Sequence, residues 1–166
     1  VYGEPAYLDY WQRLKENAVV IVNDWSMAYY TNFSGSVGKG LQPMVISYDT
    51  SPAAEVYFAE NPPAQPPTGA ITTRNMCFRQ VEFAGMLKGT SNKDLAASFL
   101  DYMLGLSFQQ DIPLQMFMFP SNPGALIPAV FGETVTRPTD PVSLPPSVIA
   151  DNRDQWIQAW TGLMLQ

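Results

Sequence analysis

The sequence predicts an α/β fold in which short buried strands alternate with helices. Residues 19–22 and 44–48 form two apolar runs, each of a length typical of a strand that is covered on both faces. A helical pattern follows each run, and this alternation favours parallel strands. Hydrophobic residues make up 46% of the 166 residues, which is enough for a substantial core. We therefore expect one α/β domain, or parts of two.

The first half of the chain contains three predicted helices. Residues 6–17 place aromatic and apolar side chains on one helical face. Asp24 stands where it can cap a short helix over residues 25–33. A glycine-rich turn at residues 34–40 follows, and its spacing fits neither the phosphate-binding loop nor the dinucleotide fingerprint. The third helix is expected over residues 50–58.

The second half is divided by two proline-rich stretches. Residues 61–75 contain four prolines and are expected to form an exposed loop, and residues 76–85 resemble a longer strand. Residues 91–106 combine a capping-box pattern with a one-sided apolar face, which predicts a helix. After the prolines of residues 120–146, a final amphipathic helix carries its apolar stripe at Ile149, Trp156, Trp160 and Leu163.

Composition excludes several classes of function. The net charge of −6 and the lack of a basic stripe argue against nucleic-acid binding. The chain has no histidine, which removes the Ser-His-Asp and Cys-His types of catalysis. Its one cysteine, Cys77, allows neither an internal disulfide nor a thiolate zinc site. We therefore expect a binding protein without catalytic residues, resident metal or cofactor.

Three features of the sequence suggest contacts with a ligand. The turn after Tyr48 leads into a helix, so its free N–H groups and the hydroxyls of Thr50 and Ser51 suit an anion or a polar group, although simple helix capping explains them equally well. Trp25 follows the first predicted strand and is placed either to stack on a flat or cationic ligand or to join the core. The pair at residues 29–30, two tyrosines, fits either a ferric-iron site or a helix that buries one ring.

Two blocks carry a resemblance to a known family. Residues 23–29 and 46–52 resemble the G-W-S-E-A-Y and S-Y-x-T-S-P patterns of the thiamine-binding periplasmic proteins, which are solute receptors of ABC transporters. The agreement covers nearly the whole chain, and it continues through residues 80–82, 87–100, 112–120 and 152–160. The helix near residue 95 is common to many such receptors, whereas the first two blocks point to thiamine.

The resemblance implies a type 2 periplasmic-binding-protein fold, which has two α/β lobes. Residues 1–83 would then be part of the second lobe. Residues 84–166 would form the return segment and the carboxyl-terminal helices, largely in the first lobe. The amino-terminal half would be absent from this chain, together with any targeting segment. The resemblance further implies a periplasmic or extracellular location, with a lipid anchor as one form of attachment.

The resemblance also implies a ligand site. Trp25 would lie against the ligand, and Tyr48, Asp49, Thr50 and Ser51 would line the pocket. Phe117 would stand where the family has an aromatic residue, commonly tryptophan. Thiamine joins an aminopyrimidine to a cationic thiazolium, and aromatic faces can stack on the first and attract the second.

Departures from the family pattern bear on the form of the ligand. Asp49 stands where a small or hydroxylated residue is common, and its carboxylate is placed to pair with the thiazolium but to oppose a phosphate. Ala54 stands where some relatives carry another aromatic. Thiamine is therefore favoured over its phosphate esters.

The expected partners are thiamine or a related small molecule, the membrane permease of an ABC importer, and the absent half of the same protein. Hinge closure would deliver the ligand. Two alternatives stay open: a receptor of the same fold for ferric iron or a polyamine, and an enzyme of thiamine or pyrimidine salvage. For an enzyme, Asp49 and Glu82 are the acids that this chain offers.

Overall fold

The computed structural model describes residues 3–35 and 40–166, and this part of the chain is built from helices. Residues 1–2 and 36–39 lie outside it, and with them most of the predicted glycine-rich turn. The elements in chain order are α1 (Ala6–Glu16), a π-helix (Met27–Asn32), α2 (Ser51–Phe58), α3 (Lys93–Leu104), α4 (Leu106–Met116), α5 (Ala129–Thr134) and α6 (Pro146–Met164).

The five helices predicted from the sequence are confirmed with small shifts in their bounds. Two helices were not predicted. Helix α4 contains Pro113, which disfavours a helix interior, and α5 is only six residues long and lies between proline-rich stretches. The proline in α4 and the shortness of α5 weaken the local helical signal, so packing against the rest of the fold stabilises these two helices.

The prediction of an α/β fold is wrong. Among the described residues no β-sheet forms, and residues 19–22, 44–48 and 76–85 have no regular secondary structure apart from one bridge. Two isolated parallel bridges, Phe33 with Gln42 and Phe78 with Val142, are the only strand-like pairings in this part of the chain. The α/β two-lobe architecture implied by the resemblance is likewise contradicted.

The physical reason is that a sheet requires partners. β-branched apolar residues favour extended backbone, but the N–H and C=O groups of a strand need a second strand in matching register. The three segments do not pair with one another, so their local preference produces no sheet. A local pattern cannot reveal this, because the pairing partner is a property of the whole fold.

The chain leaves an unusually large surface in water. Its accessible area is 12,480 Å², whereas a compact monomer of this mass has about 8,200 Å². Apolar side chains of the segments that were predicted as strands contribute to this accessible area. Ile46 and Phe83, for example, are each 91% exposed. Among the described residues, the buried apolar side chains other than proline are few by comparison: Tyr29, Phe33, Ala53, Phe131 and Met164.

Helix α1 packs against α6, and two contacts define this pair. The rings of Trp11 and Trp160 meet edge to face with centroids 5.8 Å apart. The ammonium group of Lys15 donates to the backbone oxygens of Leu163 at 2.6 Å and Gln166 at 3.0 Å. A cation there satisfies free carbonyls at the end of α6 and interacts favourably with its dipole.

Two further helix pairs complete the packing. Helix α3 lies on α4, where the buried Gln109 side chain donates to the oxygen of Met103 and accepts from the backbone N–H of Ser121, both at 2.7 Å. Helix α2 packs on α5. The proposed boundary at residue 83 stays a prediction, and the α1–α6 and α2–α5 pairs both join residues across it. None of the helices in the described ranges is long and apolar enough to span a membrane.

Candidate ligand-binding site

The tryptophan block forms a capped helical turn that gathers three aromatic rings. The Asp24 carboxylate accepts a hydrogen bond from the backbone N–H of Met27 at 2.8 Å, as the sequence predicts for a cap. Trp25 stacks on Tyr29 with centroids 4.8 Å apart and meets the edge of Tyr30 at 5.4 Å. Trp25 lies two residues before the π-helix that carries both tyrosines.

The second block brings Tyr48 and two serines to the same rings. The indole N–H of Trp25 donates to Ser47 Oγ at 2.9 Å, and Ser47 Oγ lies 2.7 Å from Ser51 Oγ. The Tyr48 ring is 6.2 Å from Trp25. Trp25 and Tyr48 are 37% and 58% exposed, so both have ring surface open to a ligand. The structure thus brings Trp25, Tyr48 and Ser51 together, while their role in binding stays a prediction.

Thr50 links this turn to Phe117. Its hydroxyl donates to the backbone oxygen of Phe117 at 2.6 Å, and no side-chain cap is formed at the start of α2. The alternative of simple capping by Thr50 or Ser51 therefore does not describe what these hydroxyls do. Phe117 has a φ of 51°, in the left-handed region that non-glycine residues rarely adopt. The buried Thr50 bond holds the backbone of Phe117 in this conformation at the end of α4.

The ring of Phe117 belongs to a second aromatic cluster. It contacts Phe58 at 5.3 Å and Tyr57 at 5.9 Å, and it stacks near Phe131 at 6.0 Å. Phe131 is 1% exposed and anchors the cluster between α2 and α5. Phe117 therefore contacts the turn through its backbone oxygen, while its ring packs in the second aromatic cluster. Stacking of this ring on a ligand stays a prediction.

Asp49 lies at the same turn in an unfavourable electrostatic environment. Burial raises the pKa of its carboxyl, and hydrogen bonds from the backbone N–H groups of Asp49 and Thr50 together with the charge of Arg137 offset this only in part. The guanidinium of Arg137 lies 3.7 Å from the ring centroid of Phe119, as a cation–π pair. A carboxyl that is partly stripped of water and weakly compensated favours the approach of an organic cation.

A half-buried hydroxyl–carboxylate group beneath Trp25 was not predicted from the sequence. The Tyr29 hydroxyl donates to Glu55 Oε1 at 2.5 Å, and the Thr68 hydroxyl donates to Glu55 Oε2 at 2.5 Å. Tyr29 is 4% exposed, and burial, followed by the hydrogen bond to Glu55, raises its pKa. The spacing of the three residues carries no local signal, because they come from the π-helix, α2 and the proline-rich stretch.

This group bears on the alternative of an iron site at the tyrosine pair. Tyr29 is buried and its raised pKa disfavours the phenolate form that binds ferric iron, whereas Tyr30 is 52% exposed. The pair therefore matches the other interpretation, a helix that buries one of two rings.

Sequence comparison relates the chain to curated proteins. It is 32% identical over 161 residues to the thiamine-binding periplasmic protein of Brucella suis biovar 1 (strain 1330), and 31% identical over 160 residues to that of Escherichia coli (strain K12). Each match covers 96% of this chain but 45% of the relative, so the chain spans a little under half the length of these proteins. No profile of a known protein family and no solved structure matches the chain.

The resemblance predicted from the two sequence blocks is confirmed by these matches. By name the relatives are binding proteins rather than enzymes.

Proposed function

We propose that this chain, a relative of the thiamine-binding periplasmic proteins, is part of a solute-binding protein that binds thiamine for an ABC importer. The observation that carries the proposal is the open cluster of Trp25, Tyr30 and Tyr48, with the partly buried Asp49 directly after Tyr48 in the chain. These residues come from the two blocks on which the family resemblance rests.

The chemistry of the cluster suits a flat organic cation. Each exposed ring face attracts a cation by about 0.5–2 kcal/mol, depending on how far water is excluded. The Asp49 carboxylate follows Tyr48 in the chain and supplies an opposite charge at the same turn, and partial burial strengthens its attraction for a cation. The thiazolium of thiamine presents a delocalised positive charge on a planar ring, so it can use both contributions at once.

The charges at the turn favour thiamine over its phosphate esters. A phosphate at the start of α2 would approach Asp49, which repels it. Arg137 is the cation that acts on Asp49, and it is held against Phe119. We therefore propose the unphosphorylated vitamin as the preferred ligand, with Trp25, Tyr48, Asp49, Thr50 and Ser51 as contacts and Phe117 in support.

The remaining contacts of the pocket are proposed to come from the rest of a longer protein, its amino-terminal half. Two observations support this: the chain spans 45% of its relatives, and its apolar segments leave far more surface in water than a compact monomer does. The relatives' name supports a periplasmic location, and a membrane permease is the partner that an importer requires.

Calorimetry on the full-length protein tests the proposal. We expect saturable heat with thiamine, weaker binding of thiamine monophosphate, and no displacement by spermidine or ferric ion. No heat at high micromolar thiamine contradicts the proposal, and displacement by spermidine or ferric ion favours the alternative receptors. Chromatography of thiamine after long incubation should show no products, whereas cleavage would support an enzyme.

A further inference from the structure

The Glu55 carboxylate lies one layer behind the proposed ligand-binding face. It accepts one short hydrogen bond at each oxygen, from Tyr29 and from Thr68, both at 2.5 Å. Hydrogen bonds from hydroxyls to a carboxylate are short and stronger than those between neutral groups. Among the described residues, no lysine or arginine forms an ion pair with Glu55.

Tyr29 connects the Glu55 carboxylate to Trp25. The two rings are stacked with an interplanar angle of 19°, so the position of the Tyr29 ring determines the plane available to the indole. The Tyr29 ring is fixed at both ends: the π-helix holds its backbone, and Glu55 holds its hydroxyl. Ser47 accepts a hydrogen bond from the indole N–H, which limits rotation of the indole within that plane. Trp25 is thus oriented before any ligand arrives.

Thr68 connects the Glu55 carboxylate to the proline-rich stretch at residues 61–75. Its contact with Glu55 places this stretch beside the aromatic cluster. A methyl group added at Gly35 would come within 2.5 Å of Thr68 and of Phe33, so the backbone approaches this corner closely. The corner behind Trp25 is packed from three separate parts of the chain.

We propose that Glu55 is a positioning residue: through Tyr29 it holds the Trp25 indole in the orientation that binds ligand, and through Thr68 it ties the proline-rich stretch to the same site. This inference rests on the proposed function for the identity of the ligand. Holding the ring in place before binding increases affinity, because less rotamer freedom is lost when the ligand arrives.

The test compares Tyr29→Phe, Glu55→Gln and the double variant in the full-length protein. Tyr29→Phe keeps the stacked ring and removes its donor, and Glu55→Gln keeps the shape and removes one acceptor. We expect each single variant to weaken thiamine binding about fivefold. The double variant should weaken binding by less than the product of the two single effects, since both changes weaken the same interaction. Glu60→Gln changes an exposed carboxylate just after α2 and should leave affinity unchanged.

A spectroscopic measurement separates positioning from stability. The near-ultraviolet circular dichroism of Trp25 in the ligand-free protein is obtained by subtracting the spectrum of Trp25→Phe. We expect Tyr29→Phe and Glu55→Gln to alter this component at temperatures well below unfolding, and Glu60→Gln to preserve it. A lower melting temperature with an unchanged Trp25 spectrum and unchanged affinity would overturn the inference. If Glu55→Gln does not fold, Tyr29→Phe alone decides.

The two proposals fail in different ways. A wild-type protein that does not bind thiamine contradicts the proposed function, and the Trp25 spectra still decide whether Glu55 orients the indole. A wild-type protein that binds thiamine, with both variants binding equally well, contradicts the positioning role alone.

Discussion

Truncation of Trp25 is expected to have the largest effect on thiamine binding. Trp25 is 37% exposed, which on an indole side chain of roughly 250 Å² leaves about 90 Å² in water. Covering that area with a ligand contributes about 2 kcal/mol, and attraction of the thiazolium adds about 0.5–2 kcal/mol. Because the ligand will not cover the whole face, we expect Trp25→Ala to cost about 2–3 kcal/mol, which is roughly a 30- to 150-fold loss of affinity.

Calorimetry of the full-length protein measures this loss, with circular dichroism to verify that the variant is folded. Trp25→Phe should lose only about fivefold, since it keeps a ring but not the N–H that Ser47 accepts. Trp156→Ala is the matched control. Its ring is half-buried on α6 and bonds to Glu4, so its loss should leave affinity unchanged. A folded Trp25→Ala variant with an affinity within about threefold of wild type would refute the site.

Three further changes test separate parts of the account. Tyr48→Ala should weaken binding by more than about tenfold and Tyr48→Phe by less than about threefold, as measured by titration, because the ring supplies the contact. Thr50→Val should lower the free energy of unfolding by about 1 kcal/mol in urea denaturation, because it leaves the Phe117 oxygen without its donor, while Thr50→Ser should not. Asp49→Asn should weaken thiamine binding and reduce the preference over thiamine monophosphate in competition titrations.

The same Asp49→Asn variant has an expected pH dependence. Because burial raises the folded-state pKa of this carboxyl, its ionisation destabilises the fold, and wild-type stability from this group is lost as the pH rises through the raised pKa. Asp49→Asn should therefore be more stable than wild type near neutral pH, and the difference should vanish only once the pH falls below the ordinary carboxyl pKa of 3.8. Affinity for the cation should change oppositely, falling in wild type as the pH is lowered. Denaturation and titration across this range check both signs.

Helices could be predicted from the sequence where a local signal existed. The amphipathic stripe of α6 and the Asp24 cap are contained within a few consecutive residues, and both predictions hold. The strands could not be predicted reliably, because a β-branched run such as residues 19–22 encodes extended backbone but not its pairing partner. The error in fold class follows from treating that local preference as if it established a sheet.

The site could be predicted only as far as the resemblance extended. Trp25 and the turn at residues 48–51 were found because two sequence blocks match a family, and the structure brings them together. Glu55 carried no such signal, since its partners Tyr29 and Thr68 are 26 and 13 residues away. The packing of the Phe117 ring against α2 and α5 could not be predicted either, because it depends on α5, which the sequence did not predict.

The most direct test of the central claim is a structure of the full-length protein with thiamine bound. We expect the thiazolium or the aminopyrimidine to stack on the exposed face of Trp25, with Tyr48 and the Asp49 carboxylate in contact with the ligand and Tyr29 still bonded to Glu55. Thiamine bound elsewhere, with the face of Trp25 covered by protein instead, would contradict the account.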